Sequence, residues 1–146
     1  MNAWLILADY AQVQLSKLYI VGGGISLTGP GPTTMGVAAQ MLVPWLDRSK
    51  QMPLRLALLY AGNREIVTIP NPLGDPTPME VTGEFEAVPT PGTPQGSDLA
   101  VAFAFPVTNL PLPPGSYVWE LYIGGEEKAC ARAAFAVRST PSPSGM

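Results

Sequence analysis

The sequence contains no histidine, a single cysteine and few charged residues. Without histidine, the chain lacks the side chain that titrates near neutral pH and serves as the base in Ser–His and Cys–His catalysis. One cysteine excludes an intrachain disulfide and a Cys/His zinc site. The 8 lysines and arginines are scattered along a chain of net charge −3, whereas nucleic-acid binding requires clustered cations. We therefore predict a protein without enzymatic activity, without a cofactor and without a nucleic-acid partner.

A long uncharged apolar segment is also missing. The apolar N-terminal segment, residues 3–8, has no basic region before it and is followed by Asp9 and Gln12. A secretory signal or a membrane-spanning helix needs a longer uncharged stretch. The lone Cys130 suits a reducing compartment. We therefore expect a cytoplasmic protein that does not insert into a membrane.

Glycine and proline are abundant, with 15 and 17 residues, and they separate short segments in which apolar side chains alternate. Alternation with a period of two places every second side chain on the same face of a β-strand. The segments with this pattern are residues 4–8, 18–22, 36–43, 54–60, 66–69, 80–87, 99–105, 117–123 and 131–137. Their spacing is typical of an all-β sandwich or barrel with antiparallel neighbours. No segment predicts a helix.

The same pattern predicts the extent of the domain and its core. We predict one all-β domain, a two-layer antiparallel β-sandwich of about eight or nine strands, over residues 1–138, and a flexible Ser/Pro tail at residues 139–146. The predicted core contains the larger apolar side chains on one face of each strand: Leu5, Leu7, Leu18, Ile20, Leu56, Leu58, Phe85, Val101, Phe103, Trp119, Leu121 and Phe135.

The second face of several predicted strands is apolar rather than charged. Ala100, Ala102 and Ala104 occupy this face in one strand, and Tyr122 occupies it in another. Such a surface is covered by the loops of the chain itself or by a partner, or it is ordinary scattered apolar surface. We take the three alanines, Tyr122 and Trp45 as candidate partner-binding residues.

Other residues give weaker indications of a site. Glu84 and Glu86 share a strand face, which is typical of a solvated edge and, as the alternative, of a calcium site. Cys130 lies near Lys128 and Arg132, two cations that would lower its pKa slightly, but a small side chain that fills the core is the simpler interpretation. No catalytic or metal-binding set is predicted.

Six segments spread over the chain follow the pattern of a known family: residues 3–12, 17–24, 43–45, 110–112, 115–119 and 135–137. In these segments the sequence resembles a group of small bacterial proteins, frequent in actinobacteria and classed as a domain of unknown function. The resemblance implies an immunoglobulin-like sandwich and no assigned activity or catalytic residue. Relatives tend to have an acidic turn where this chain has Ala61, Gly62 and Asn63, so no ligand role is carried over to this turn.

Three functions are consistent with these features. The first is a non-enzymatic protein-binding or assembly module that presents a sheet face or a loop end to a protein partner or a second copy, and we expect a homo-oligomer. The second is a structural subunit of a homomeric particle or shell. The third is a binder of small molecules or carbohydrates, in which Trp4, Trp45, Trp119 or Tyr122 stacks on the ligand.

Overall fold

β-strands contain most of the residues that the computed structural model describes, which are residues 1–140. The strands are β1 (Asn2–Gln14), β2 (Lys17–Gly23), β3 (Leu27–Thr28), β4 (Thr33–Val43), β5 (Met52–Tyr60), β6 (Thr68–Ile69), β7 (Thr77–Pro78), β8 (Glu80–Phe85), β9 (Leu99–Leu110), β10 (Gly115–Ile123) and β11 (Ala131–Val137). One 3₁₀ turn, Trp45–Asp47, lies between β4 and β5, and the described residues contain no α-helix. The all-β fold class predicted from the period-two pattern is therefore confirmed.

The strand count within the described residues is eleven, higher than the eight or nine expected. Each of the predicted segments contains a strand, and the additional strands are β3 and β7. These two strands have two residues each, which is too short for an alternation of apolar side chains to be recognised.

The strands form three sheets. The four-stranded sheet has the order β2-β1-β4-β9, and the five-stranded sheet has the order β3-β11-β10-β5-β8. β6 and β7 form a separate sheet of two strands. The paired strands are antiparallel except β3 and β11, which are parallel. After β10 the chain reverses through Gly124 and Gly125, which both have the positive φ that a reversing turn requires.

One buried cluster contains side chains from both larger sheets. Its members from the predicted core are Leu5, Leu7, Leu56, Leu58, Phe85, Trp119, Leu121 and Phe135. The central strand β4 adds Val37, Ala39 and Met41, which have no exposed area. Val101 and Phe103 pack against the cluster but are only half-buried, because β9 lies at the edge of its sheet.

The prediction that Leu18 and Ile20 belong to this core is wrong. Both side chains are half-buried and lie outside the cluster. They belong to β2, which pairs with the second half of β1. In the strand order, β4 separates β1 and β2 from β9. Both strands nevertheless contact β9 directly, so this hairpin folds back over the four-stranded sheet. A Cβ on Gly36 of β4 would lie 2.6 Å from the backbone nitrogen of Ala11, so the crossing requires glycine at this position.

The end of the chain is described only in part. β11 ends at Val137, inside the predicted domain of residues 1–138. Ser139 and Thr140, the first residues of the predicted tail, are exposed and belong to no strand. Residues 141–146 of that tail lie outside the described residues. In the part of the chain that the structure describes, no helix has the length and apolar character needed to cross a membrane.

Candidate functional site

The candidate partner-binding residues lie in three separate places. Tyr122 lies on β10 of the five-stranded sheet, whereas Ala100, Ala102 and Ala104 lie on β9 of the four-stranded sheet. Trp45 lies in the 3₁₀ turn between β4 and β5. The structure therefore does not bring the five residues together into one site.

A group of charged side chains lies on the outer face of the five-stranded sheet, beside a small buried cluster of Ala57, Leu59 and Val118. On β10, Trp119 and Leu121 belong to the buried cluster, so Glu120 and Tyr122 point to the opposite, outer face. Arg132 on β11 lies directly across from Glu120. The pairing of β10 with β11 therefore brings ionisable side chains together on this outer face.

Glu120 is the centre of a network of hydrogen bonds. Its side chain has no exposed area. Nη2 of Arg64 lies 2.7 Å from Oε1 and 3.0 Å from Oε2, and Nε of Arg132 lies 2.5 Å from Oε2. The hydroxyl of Tyr122 donates to Oε1 at 3.1 Å. The carboxylate is thus fully paired, as a buried charge must be.

The pKa shifts in this network follow from the same contacts. Burial is the largest single influence on the pKa of Glu120 and raises it, but the hydrogen bonds from Arg64, Arg132 and Tyr122 together outweigh burial and hold the pKa below its ordinary value. The hydrogen bond to Glu120 raises the pKa of Arg64, and burial, followed by the contact with Glu120, raises the pKa of Tyr122. Glu120 is ionised at neutral pH and Tyr122 is neutral, so the carboxylate accepts all of these hydrogen bonds. The network thereby connects β10 with β11 and with the link that contains Arg64.

A second ion pair adjoins this network. Arg55 on β5 lies across from Tyr122, and its Cζ atom is 4.1 Å from the centroid of the tyrosine ring, a distance that allows a cation–π contact. Nη1 of Arg55 lies 3.5 Å from Oε2 of Glu80. Tyr122 therefore connects the Arg55–Glu80 ion pair to the Glu120 network, since its ring contacts Arg55 and its hydroxyl contacts Glu120.

A groove lies beside Arg55 and Tyr122, and we name it the Tyr122 groove. Residues 53–55 of β5, residues 82–84 of β8, Tyr122 and residues 125–127 of the β10–β11 link line it. Its volume is about 590 Å³, which lies within the range of roughly 300–1,000 Å³ that ligand sites occupy.

The charged residues that line the Tyr122 groove are mainly acidic. Glu84, Glu126 and Glu127 carry negative charge, and Arg55 is the one cation in the lining. None of these three glutamates takes part in the ion pairs found within residues 1–140. Arg55 is already paired with Glu80. The groove therefore has an excess of negative charge.

The outer face of the four-stranded sheet is covered in part by the chain itself. Ala8 and Ala38 lie on this face and have 0% and 1% exposure, because the β1–β2 hairpin folds over them. Ala100 is exposed and Ala102 and Ala104 are half-buried. The covering segment is therefore a hairpin rather than a loop, and it leaves much of β9 accessible.

Two of the aromatic residues proposed for ligand stacking are covered, one fully and one on a single ring face. Trp119 has 2% exposure and belongs to the buried cluster. Tyr122 has one ring face covered by Arg55. Trp45 is half-buried, and the guanidinium of Arg48 lies 4.6 Å from its ring centroid. Trp4 has 40% exposure and is thus the most accessible of the four tryptophan and tyrosine candidates.

The preferred interpretation of Cys130 is a small packed side chain, and the structure does not support the alternative of a lowered pKa. Burial raises the pKa of this thiol, and its Sγ atom lies 3.2 Å from the carbonyl oxygen of Leu121. The interpretation of Cys130 as a small side chain that packs at the core agrees with its contact to the buried cluster. Within residues 1–140, no group of three or more acidic or cysteine side chains is arranged to hold a metal ion.

Sequence patterns did not indicate the Glu120 network. Glu120 looks like a solvated residue because it alternates with apolar neighbours, and Arg64 follows a turn. The available signal was a glutamate between two large apolar residues in a central strand, with Arg132 in the adjacent strand. Cross-strand register, which the sequence does not state, is needed to pair them.

The fold and this site define an all-β protein in which ionisable groups with shifted pKa values connect neighbouring strands and the link that follows β5. The chain belongs to a family of unknown function, DUF6941, whose model matches residues 3–138. This match agrees with the resemblance of the sequence to a domain of unknown function.

Comparison with other known proteins adds little. No curated protein matches the chain. Among solved structures, the chain is similar to Pseudomonas fluorescens alkylpurine DNA glycosylase AlkC bound to DNA containing an abasic site analogue, with 11% identity and a TM-score of 0.40. The match covers 92% of this chain and 30% of that chain, so this chain spans less than a third of the length of the glycosylase. A likeness this weak supports no inference about activity.

Proposed function

We propose that the protein is a non-enzymatic protein-binding module whose partner places a lysine or arginine side chain in the Tyr122 groove. The observation that carries this proposal is the charge of the groove. Glu84, Glu126 and Glu127 line one cavity and have no ion-pair partner among the described residues. A cationic side chain of a partner would be attracted by all three carboxylates, and complementary charge of this kind favours both encounter and specificity.

The contacts of Arg55 support a cationic rather than an anionic ligand. Arg55 is the one positive group in the lining, but it contacts Glu80 and the ring of Tyr122. An anion that bound to Arg55 would approach the three glutamates and would compete with Glu80. A cation can contact the glutamates while leaving the existing ion pair intact. The groove therefore favours a basic segment of a protein.

The ionisable groups with shifted pKa support a binding role instead of catalysis. Glu120 accepts hydrogen bonds from both Arg64 and Tyr122, and these contacts shift the pKa values of the three groups in the direction that keeps Glu120 ionised, Arg64 protonated and Tyr122 neutral. A general acid or base has a pKa close to the working pH and a free path to its substrate. Glu120, with no exposed area, has no such path.

The experiment is a binding titration with peptides of opposite charge. Fluorescein-labelled peptides of identical length that contain lysine, arginine, glutamine or glutamate are titrated with the full chain, and fluorescence anisotropy is recorded at low salt and at about 0.5 M salt, where screening is strong. We expect binding of the lysine and arginine peptides, weakened by salt. Equal binding of the glutamine peptide would overturn the proposal.

A matched set of variants locates the site. The triple variant Glu84→Gln, Glu126→Gln and Glu127→Gln should weaken binding of the basic peptides by about tenfold or more, because each carboxylate contributes to the attraction. The control is Glu86→Gln, which changes an exposed glutamate that does not line the Tyr122 groove. The same loss in the control, or no loss in the triple variant, would contradict the groove as the site.

We also propose that the two larger sheets form a two-layer sandwich of the immunoglobulin-like type. The buried cluster draws side chains from both sheets, as the core of a sandwich does. The hydroxyl of Tyr117 donates to the carbonyl oxygen of Pro113 at 2.5 Å, and a tyrosine that bonds to backbone a few residues upstream is a feature of such sandwiches. Methyl NOEs between Val37 and the side chains of β5 or β10 would support this arrangement, and their absence would contradict it.

A further inference from the structure

The edge strands of the two larger sheets differ in how they resist pairing with another chain. Natural sheet edges are usually short, charged, distorted or covered. β3 has two residues, and β8 has six, with Glu80 and Glu84 among them. β2 has seven residues, begins at Lys17 and contains Gly22 with a φ of +66°. Each of these three edges therefore has a feature that protects it.

β9 has none of these features over its first seven residues. The strand has 12 residues from Leu99 to Leu110, and it contains no charged side chain. Its one proline is Pro106. One side of β9 pairs with β4, and within residues 1–140 no backbone hydrogen bond from a turn or loop reaches residues 99–106. β9 is therefore a long apolar edge with an unpaired side.

The burial of its side chains also indicates an open edge. Phe103 and Phe105 point towards the buried cluster but are only half-buried. Their cross-strand neighbours on β4, Ala39 and Val37, have no exposed area. A strand added beside β9 would cover the exposed parts of both aromatic rings.

We propose that β9 pairs with β9 of a second copy of this chain, antiparallel and centred on Ala102, so that the two four-stranded sheets become one continuous sheet. In this register Val101 lies opposite the partner's Phe103, and pairs of an aromatic and a β-branched side chain stabilise antiparallel sheets. A two-fold axis requires a self-complementary surface, and an apolar strand without charge meets this requirement.

The charge distribution favours a second copy over a charged partner. Each chain has a net charge of −3, and the charge-free β9 lets two copies approach without opposed carboxylates. Glu86 lines a groove of about 320 Å³ along residues 99–102 of β9. In the antiparallel register, residues 99–102 of one copy lie opposite residues 102–105 of the other, so the two grooves extend from Ala102 in opposite directions. This surface is separate from the Tyr122 groove, and the inference does not depend on the function proposed for that groove.

The first test is the molar mass in solution, measured by size-exclusion chromatography with light scattering over a range of concentrations. We expect twice the 15.4 kDa of one chain for the wild type, and 15.4 kDa for Ala102→Lys, which opposes two lysines at the centre of the paired strands. The control Ala134→Lys adds the same charge at an exposed alanine of β11, which belongs to the other larger sheet, and should stay dimeric. A monomeric wild type, or an Ala102→Lys variant that stays dimeric, would overturn the proposal.

The second test does not depend on whether the chain still folds with a lysine at position 102. In a Cys130→Ala background, Ala102→Cys should form a disulfide-linked dimer under mild oxidation, because directly opposed residues of antiparallel strands have Cα atoms about 4.5–5.5 Å apart, a span that a disulfide bridges. The control Ala134→Cys in the same background should stay monomeric on a non-reducing gel. Absence of the link at position 102, or equal linking in the control, would exclude this register.

Discussion

The guanidinium of Arg64 contacts both carboxylate oxygens of Glu120, at 2.7 and 3.0 Å, although 56 residues separate them in sequence. Glu120 lies in the central strand β10, and Arg64 lies in the link that follows β5. The backbone of Arg64 has a φ of +60°, in the left-handed region that few non-glycine residues adopt. The contact therefore holds this link against the outer face of the sheet.

Replacing Glu120 by glutamine should lower the free energy of unfolding. Glutamine keeps the shape of the side chain but loses the charge that accepts hydrogen bonds from Arg64 and Arg132, and hydrogen bonds to charged groups contribute about 1.5–3 kcal/mol each. Because both arginines are half-exposed and can turn to water, we expect a net loss of about 1–3 kcal/mol in urea unfolding. The control Glu86→Gln should stay within about 0.5 kcal/mol of the wild type, and a Glu120→Gln variant equally close would contradict the role of the network.

The contribution of Glu120 should depend on pH in a defined direction. Its pKa in the folded protein lies below the ordinary value of 4.5, so the folded state favours the ionised form. The stabilisation is then fully present above the pKa of the unfolded chain and is lost as the pH falls through the lower pKa of the folded state. The difference in unfolding free energy between wild type and Glu120→Gln should therefore narrow as the pH falls from about 7 to about 3. A constant difference over this range would contradict the lowered pKa.

Most of the longer strands were predictable because their apolar side chains alternate over several residues. β5 and β10 are two examples, and both lie in the interior of the five-stranded sheet. The course of β1 was not predictable in the same way. Its alternation continues into the hairpin with β2, and nothing in the pattern distinguishes a strand that faces the main core from one that folds over the outer face. Leu18 and Ile20 were assigned to the wrong layer for this reason.

The Tyr122 groove was predictable only in part. Tyr122 was identifiable because an aromatic residue occupied the nominally outer face of a strand. Its contacts with Arg55 and Glu120 depend on the register between β5 and β10, which the sequence alone does not specify. The acidic lining depends in addition on the position of the β10–β11 link, since Glu84 and Glu126 are far apart in sequence and meet only in the folded chain.

A methyl group at Gly36 should displace the β1–β2 hairpin. The added Cβ would lie 2.6 Å from the backbone nitrogen of Ala11 and 3.0 Å from its Cβ, and a backbone atom cannot rotate away. Overpacking of this kind costs about 1–3 kcal/mol. We therefore expect Gly36→Ala to lower the free energy of unfolding by this amount and to increase amide hydrogen exchange in β2.

The matched control for that change is Gly83→Ala in the edge strand β8. Gly83 has nothing within 4 Å of an added Cβ and does not have a positive φ. Alanine should be tolerated there, with a stability equal to or slightly above that of the wild type. If Gly36→Ala were as stable as Gly83→Ala, the close crossing of the hairpin over β4 would be wrong.

Two tryptophans provide a test of which face of each larger sheet is buried. Trp119 has 2% exposure and its Nε1 atom is buried without a hydrogen-bond partner among the described residues, whereas Trp4 has 40% exposure. Trp119→Ala should lower the free energy of unfolding by about 3–5 kcal/mol, as removal of a large core side chain does, and Trp4→Ala should cost under about 1 kcal/mol. Trp119→Phe should cost much less than Trp119→Ala, because phenylalanine fills most of the space and removes the unpaired N–H group. Equal costs for the two alanine variants in urea unfolding would mean that the assignment of inner and outer faces is wrong for at least one of the two sheets.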